Sequence, residues 1–211
     1  YHPIDIRDLR AYFAGQVDLP AEPVVLSFDD GYSDFYTAAW PVLSRYHFKA
    51  VSYVVPGFLG SMNYMTPDQL KVLDGAGIEI GSHTVHHFDL TKVDPNTLNV
   101  ELQASRGYLE NLLGHPVLDF CYPSGRYNAP VQAAVAAAGY ESAVSEGTGT
   151  VHSSADRLAW TRVRVPGGEQ LTAFAASLGQ PDPTQVVATP VLPALAPTQL
   201  PAANPPHGLA P

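Results

Sequence analysis

Six short apolar runs, at 24–28, 50–55, 78–81, 117–122, 140–144 and 160–165, alternate with longer stretches in which apolar residues recur at helical spacing. The runs predict strands, and the stretches between them predict helices near 34–46, 67–76, 95–113 and 130–138. Pro67 and Pro95 suit a first helical turn, with Thr66 and Asp94 placed to cap it. Strand and helix alternating at this interval predict an α/β fold with a mostly parallel sheet or barrel, whose chemistry gathers at the carboxyl ends of strands. The run Val24-Val25-Leu26-Ser27-Phe28 is continuously apolar but for one serine, as expected of a strand covered on both faces.

From Pro181 onward the pattern lapses: nine of the last 31 residues are Pro and only Asp182 is charged. The expected organisation is therefore one domain over 1–180 and a Pro-rich linker or tail over 181–211, able to carry a further domain. A chain of 211 residues with 45% apolar and 15% charged residues can bury one full-sized core. Its formal charge of -9 excludes the electrostatic footprint of a nucleic-acid binder. The single cysteine, Cys121, excludes an internal disulfide and any cysteine-rich metal cluster. No apolar run approaches the roughly 20 residues needed to span a bilayer, and the opening Tyr1 is expected of a fragment or a processed form.

Two places carry candidate chemistry. Asp29 and Asp30 stand side by side at the end of the first predicted strand, where each charge raises the cost of the other. As plain turn chemistry, Asp-Gly-Tyr after a strand would account for them. The second place, Gly-Ser-His-Thr-Val-His-His at 81–87, follows another predicted strand and offers His83, His86 and His87. His83 and His87 are four apart, a spacing that a helical turn would bring to one face. Two imidazoles and one carboxylate form a ligand set with open positions for water and substrate. A cation makes the adjacent carboxylates tolerable and leaves the second Asp free to take a proton from water.

Ser27-Phe28-Asp29-Asp30-Gly31 and His83-Thr84-Val85-His86-His87 resemble the first two motifs of the polysaccharide deacetylases of the NodB homology type, carbohydrate esterase family four. The resemblance extends over most of 1–178 and implies a distorted (β/α) barrel. It implies that Asp29 is the general base, that Asp30, His83 and His87 hold a divalent metal, and that the reaction is hydrolysis of an acetamide on an N-acetylated sugar polymer. Zinc suits the ligand set, with cobalt, nickel, manganese or iron as alternatives. The stretch Phe120-Cys121-Tyr122-Pro123-Ser124-Gly125 departs from the family's third motif, placing Cys121 where an Arg often stands. This variant resembles the poly-N-acetylglucosamine deacetylase subgroup and implies a substrate-binding loop of Tyr122, Pro123 and Ser124, with Tyr122 as a pocket wall and the Ser124 backbone N–H on the oxyanion.

Without that Arg, Arg162 is the candidate to hold Asp29 ionised, because Leu158-Ala159-Trp160-Thr161-Arg162-Val163-Arg164-Val165 looks like the late strand of this subgroup and guanidinium fits carboxylate bidentately; solvated alternation with Arg164 is the other reading. The general acid is left open between His2 and a residue upstream of this chain, the latter implying a catalytic domain lacking its N-terminal element. Tyr127 and Trp160 near strand ends suit sugar stacking or plain packing. A glycoside hydrolase using Asp29, or a metal-binding remnant that has lost its acid, are the competing functions, and the polymer substrate implies secretion or the cell envelope.

Overall fold

A computed structural model describes residues 1–179; the Pro-rich stretch from 181, and the boundary expected after residue 180, lie outside the described residues. Strand β1 (His2–Ile4) runs into helix α1 (Ile6–Phe13), whose N-terminus is closed by a reciprocal box between Asp5 and Asp8. The chain returns as β2 (Pro23–Val25), paired in parallel with β1, and then as β3 (Ser27–Phe28). A π-helical turn (Phe35–Ala39) leads into α2 (Trp40–Arg45), followed by β4 (Val51–Val54), a 3₁₀ turn (Pro56–Phe58), α3 (Pro67–Gly75) and β5 (Glu79–Ser82). The long helix α4 (Pro95–Leu113), β6 (Asp119–Cys121), a 3₁₀ turn (Pro123–Gly125), α5 (Ala129–Ala137) and β7 (Ser142–Val144) complete the pattern. Strands β3 to β7 lie in chain order in one parallel sheet, the wall of the expected distorted barrel. This first compact unit ends at Arg164, and a second begins at Val165 and contains α6 (Leu171–Ser177).

The sheet separates several cores, which explains why its strands read as continuous apolar runs. In β4, Val51 and Tyr53 face an inner cluster with Ile6 and Leu9 of α1, Cys121, Val144 and Trp160. Val54 and the preceding Ala50 face an outer cluster with Leu70 and Leu73 of α3 and Leu109 of α4. In β6 the alternation sends Cys121 inward and Phe120 outward, against Leu102 of α4 and Val131 and Val135 of α5.

The amino ends of the strands carry a separate polar belt. Glu79, Asp119 and Ser142, the first residues of β5, β6 and β7, are buried. Glu79 accepts the backbone N–H groups of Ile6 and Arg7 at 2.7 and 3.1 Å, so it caps α1 from across the barrel. Arg10 of α1 donates to Asp119 at 2.8 Å, and the Ser142 hydroxyl donates to the same carboxylate. Structural polarity thus sits at one end of the sheet and the candidate chemistry at the other.

The structure changes several expectations. The single strand expected at 24–28 breaks at Leu26 into β2 and β3, which belong to different sheets, and its residues are half-exposed because β3 lies at a sheet edge. The helix expected at 34–46 begins as a π turn: Pro41 has no N–H, and the Trp40 N–H reaches back five residues to the Phe35 carbonyl. No strand forms over 160–165; Trp160 makes one parallel bridge to Val144. The caps expected at Thr66 and Asp94 are present, Thr66 in a reciprocal box with Gln69.

Candidate active site

Asp29 and Asp30 leave the carboxyl end of β3 on a backbone that turns sharply. Asp30 has φ +71° and Gly31 φ +81°. At Gly31 a side chain would be strained and its Cβ would press to 3.2 Å from Val54 Cγ1. In an extended strand adjacent side chains point to opposite faces; the left-handed turn at Asp30 lets the two carboxylates serve neighbouring positions.

The histidines are not on a helical turn, as their spacing suggested. Residues 83–87 form a loop after β5, with Thr84 at φ +65° and His87 at φ +59°. Two tethers hold this conformation. The Thr84 hydroxyl accepts the His87 backbone N–H at 2.9 Å, and Glu101 of α4, 1% exposed, accepts the N–H groups of both Val85 and His86 at 2.9 Å. Glu101 also contacts His86 Nδ1 at 2.6 Å, so His86 braces the loop while His83 and His87 turn toward Asp30.

Asp30 Oδ1 lies 3.5 Å from His83 Nε2 and 3.4 Å from His87 Nε2. Nitrogen and oxygen ligands bound at about 2.1 Å with tetrahedral angles sit about 3.4 Å apart, so each imidazole nitrogen stands from Asp30 at the spacing a zinc-sized ion requires, and the three ligand atoms lie within 4.8 Å of one another. His83 Nδ1 is 2.7 Å from the Cys121 carbonyl, which fixes the proton there and leaves Nε2 to face the site. Burial disfavours a charge on His83, yet the surrounding Cys121, Asp30 and Asp29 outweigh it and push its pKa well up. The pocket therefore attracts a cation. His87 shifts the other way, lowered by burial and by the nearby His83.

Asp29 faces a second set of partners. Arg162 Nη1 donates to Asp29 Oδ1 at 2.7 Å and Nη2 to Oδ2 at 2.8 Å. The same guanidinium donates to the Ser145 carbonyl and the Ser27 hydroxyl, both at 3.1 Å, and lies 5.7 Å from the centre of the Tyr53 ring. Burial alone would raise the Asp29 pKa, but the bonds and charge of Arg162 bring it below the ordinary carboxylate value. Cys121 Sγ is 3.5 Å from Asp29 Oδ2 and 3.2 Å from Arg162 Nη2. Burial raises its thiol pKa, which keeps it a donor toward the carboxylate. Tyr53 crosses β5 at Gly81, where a Cβ would come to 2.4 Å from its ring.

Within the expected substrate loop, Tyr122 departs from its expected role as a pocket wall. Tyr122 is fully buried, its hydroxyl donating to the Leu158 carbonyl at 2.8 Å, so it supports the loop from beneath instead of forming a pocket wall. Pro123 is buried too, while Ser124 is exposed with φ +53°. Trp160 is core, its indole N–H bonded to the Ser153 carbonyl. His2 pairs in register with Pro23, six residues before Asp29, which places it about 20 Å away along the strand direction. Its ring contacts the Ala21 carbonyl at 2.6 Å, away from Asp29 and the histidine loop. The sequence reading missed Glu101, although its position among Leu98, Leu102, Ser105 and Leu109 on one helical stripe marks a carboxylate pointing inward.

Comparison with known proteins gives a consistent answer. The family profile described as polysaccharide deacetylase matches residues 16–143. The chain is 34% identical over 158 residues to the Bacillus subtilis protein YxkH, which carries the same family's name, covering 74% of this chain and 57% of that protein. It is 25% identical over 131 residues to the poly-beta-1,6-N-acetyl-D-glucosamine N-deacetylase of Staphylococcus aureus, covering 56% and 45%. The chain thus spans about half the length of these relatives. Among solved structures, the Streptococcus pyogenes deacetylase PplD in complex with acetate superimposes with a TM-score of 0.76 at 29% identity, covering 84% of this chain and 79% of that one.

Proposed function

Because the chain belongs to the polysaccharide deacetylase family, we propose that it hydrolyses N-acetyl groups from an N-acetylglucosamine polymer, with Asp29 as base and a divalent metal, zinc by preference, on Asp30, His83 and His87. The observation that carries this reading is the division of labour between adjacent carboxylates: Asp30 faces two imidazoles and Asp29 faces a guanidinium. When bound, the metal supplies Lewis acidity that polarises the acetyl carbonyl and acidifies water. The chain's own residues do the rest. Arg162 keeps Asp29 ionised and aligned, so that its carboxylate takes the proton of the attacking water. The exposed turn at Ser124 offers backbone N–H to the developing oxyanion.

Poly-β-1,6-N-acetylglucosamine is the favoured polymer, supported by the likeness of the 120–125 stretch to that subgroup and by the Staphylococcus aureus relative. Peptidoglycan and chitin carry the same acetamide. Action on such a polymer places the protein outside the cytoplasm, secreted or in the cell envelope; among the described residues no helix is long and apolar enough to cross a membrane. The proposed reading of the stretch from 181 is a tether to a further domain.

The test is acetate release from an N-acetylglucosamine oligomer with added zinc or cobalt, comparing this chain with Asp29→Asn. Release that disappears in Asp29→Asn is expected. Metal binding without release would leave a carbohydrate-binding remnant, and new reducing ends without acetate would make the protein a glycoside hydrolase.

A further inference from the structure

Three aromatic rings stand exposed around the candidate site, each backed by a second ring lying nearly parallel to it. Tyr32, 43% exposed, stacks on Tyr64 at 4.9 Å and 22°; Phe88, 46% exposed, stacks on His86 at 5.3 Å and 25°; Tyr127, 40% exposed, stacks on Tyr122 at 4.7 Å and 23°. Each thus keeps a large exposed area while a partner ring lies against it. Their positions follow the site closely. Tyr32 comes two residues after Asp30, Phe88 directly after His87, and Tyr127 three residues after Ser124.

A scattered exposed ring needs no explanation. These three belong to loops at the carboxyl ends of β3, β5 and β6, and neighbouring loops are tied to one another. Tyr32 bridges Tyr64 in the loop after β4. In that same loop Gly57 donates to the Val85 carbonyl at 3.1 Å, an approach so close that a Cβ on Gly57 would lie 2.3 Å from that oxygen. Arg126 donates to Asp89 at 2.9 Å, joining the neighbours of Tyr127 and Phe88. The rim from β3 to β6 covers three strand spacings, about 14 Å, longer than one sugar ring. Rings held in place before binding lose little entropy on contact.

We propose that Tyr32, Phe88 and Tyr127 form a stacking rim that holds pyranose rings of an N-acetylglucosamine polymer on both sides of the sugar being deacetylated. Apolar ring faces fit the C–H faces of β-linked pyranoses, while the acidic chain repels anionic polymers, so the occupant is a neutral or cationic glycan. Tyr32 follows Asp30 on the loop after β3, while Phe88 and Tyr127 lie on the loops after β5 and β6. This inference rests on the deacetylase reading for the identity of the sugar, and its test separates the two.

Binding of an N-acetylglucosamine pentamer, in β-1,6 and separately in β-1,4 linkage, is measured by calorimetry on the zinc-loaded full chain carrying Asp29→Asn, so that no turnover occurs. Adding Tyr32→Ala or Phe88→Ala is expected to weaken the preferred pentamer about tenfold each. Tyr32→Trp and Phe88→Tyr, which keep a ring, are expected to stay within about threefold of the parent, with melting curves showing that all variants fold. With Asp29 intact, Tyr32→Ala is expected to raise KM for the pentamer about tenfold with less change in kcat. Binding of neither pentamer, or affinities indifferent to both alanine variants, overturns the rim. A pentamer that needs the rings to bind but releases no acetate from the Asp29 chain sinks the deacetylase reading and leaves the rim standing.

Discussion

Arg162 stands 133 residues beyond Asp29 and meets it with two parallel N–H···O bonds of 2.7 and 2.8 Å. The pair joins the end of β3 to the segment beside β7, so the charge state of the proposed base depends on a residue from the far side of the sheet. Arg162→Ala is expected to lower kcat/KM about a hundredfold. Arg162→Lys should recover little, since an ammonium cannot make both bonds. With the guanidinium gone, burial raises the Asp29 pKa, and the acidic limb of the pH–rate profile moves to higher pH. An unmoved limb would separate Arg162 from the ionisation of Asp29.

Glu101 shapes the ligand loop without touching the proposed metal position. Glu101→Ala frees the Val85 and His86 amides and is expected to weaken zinc binding by about ten to a hundredfold in competition with a chelating dye. Glu101→Gln keeps one acceptor and should lose less. Equal affinities in all three proteins would show that Thr84 alone holds the loop.

At the opposite end of the barrel, burial first, then the charge and hydrogen bond of Asp119, push the Glu79 pKa up to about 10. Unfolded, the same group titrates near 4.3. The folded protein therefore holds one proton more across this window, and stability falls as pH rises through it. Glu79→Gln, which keeps an acceptor for the Ile6 and Arg7 amides, should flatten that fall and raise the melting temperature at pH 8. A steeper fall in Glu79→Gln would contradict the assignment of the proton to Glu79.

Gly81 lies under the Tyr53 ring with no room for a methyl group. Gly81→Ala is expected to destabilise the fold by about 1–3 kcal/mol in urea. Combining it with Tyr53→Leu should recover part of that loss, because neighbouring volume changes couple; strictly additive losses would place the cost elsewhere.

The parallel sheet was legible because buried strands write themselves as apolar runs, and Thr66, Asp94, Pro67 and Pro95 marked their helices by local chemistry that needs no partner. The association of Asp30, His83 and His87 could be anticipated from ligand type, whereas the loop that brings the histidines together could not: its left-handed residues are held by the Thr84 hydroxyl and by Glu101 from α4. Trp160 reads as a strand residue because its neighbours alternate, but only one bridge to Val144 forms, and the Arg162 side chain is drawn off to Asp29. Tyr122 was misplaced for the opposite reason, since a phenol at a strand end looks the same in sequence whether its hydroxyl meets a ligand or the Leu158 carbonyl.

Two of the three proposed ligands, Asp30 and His87, occupy left-handed backbone. Besides glycine, the residues that enter this region most readily are asparagine, aspartate and histidine. Mutational drift at these positions is thereby channelled: Asp30→Asn or His87→Asn keeps the turn while weakening the ligand, whereas glutamate at 30 would keep the charge and strain the turn. The backbone at these two positions therefore tolerates loss of the proposed ligands better than it tolerates most replacements that would keep the charge.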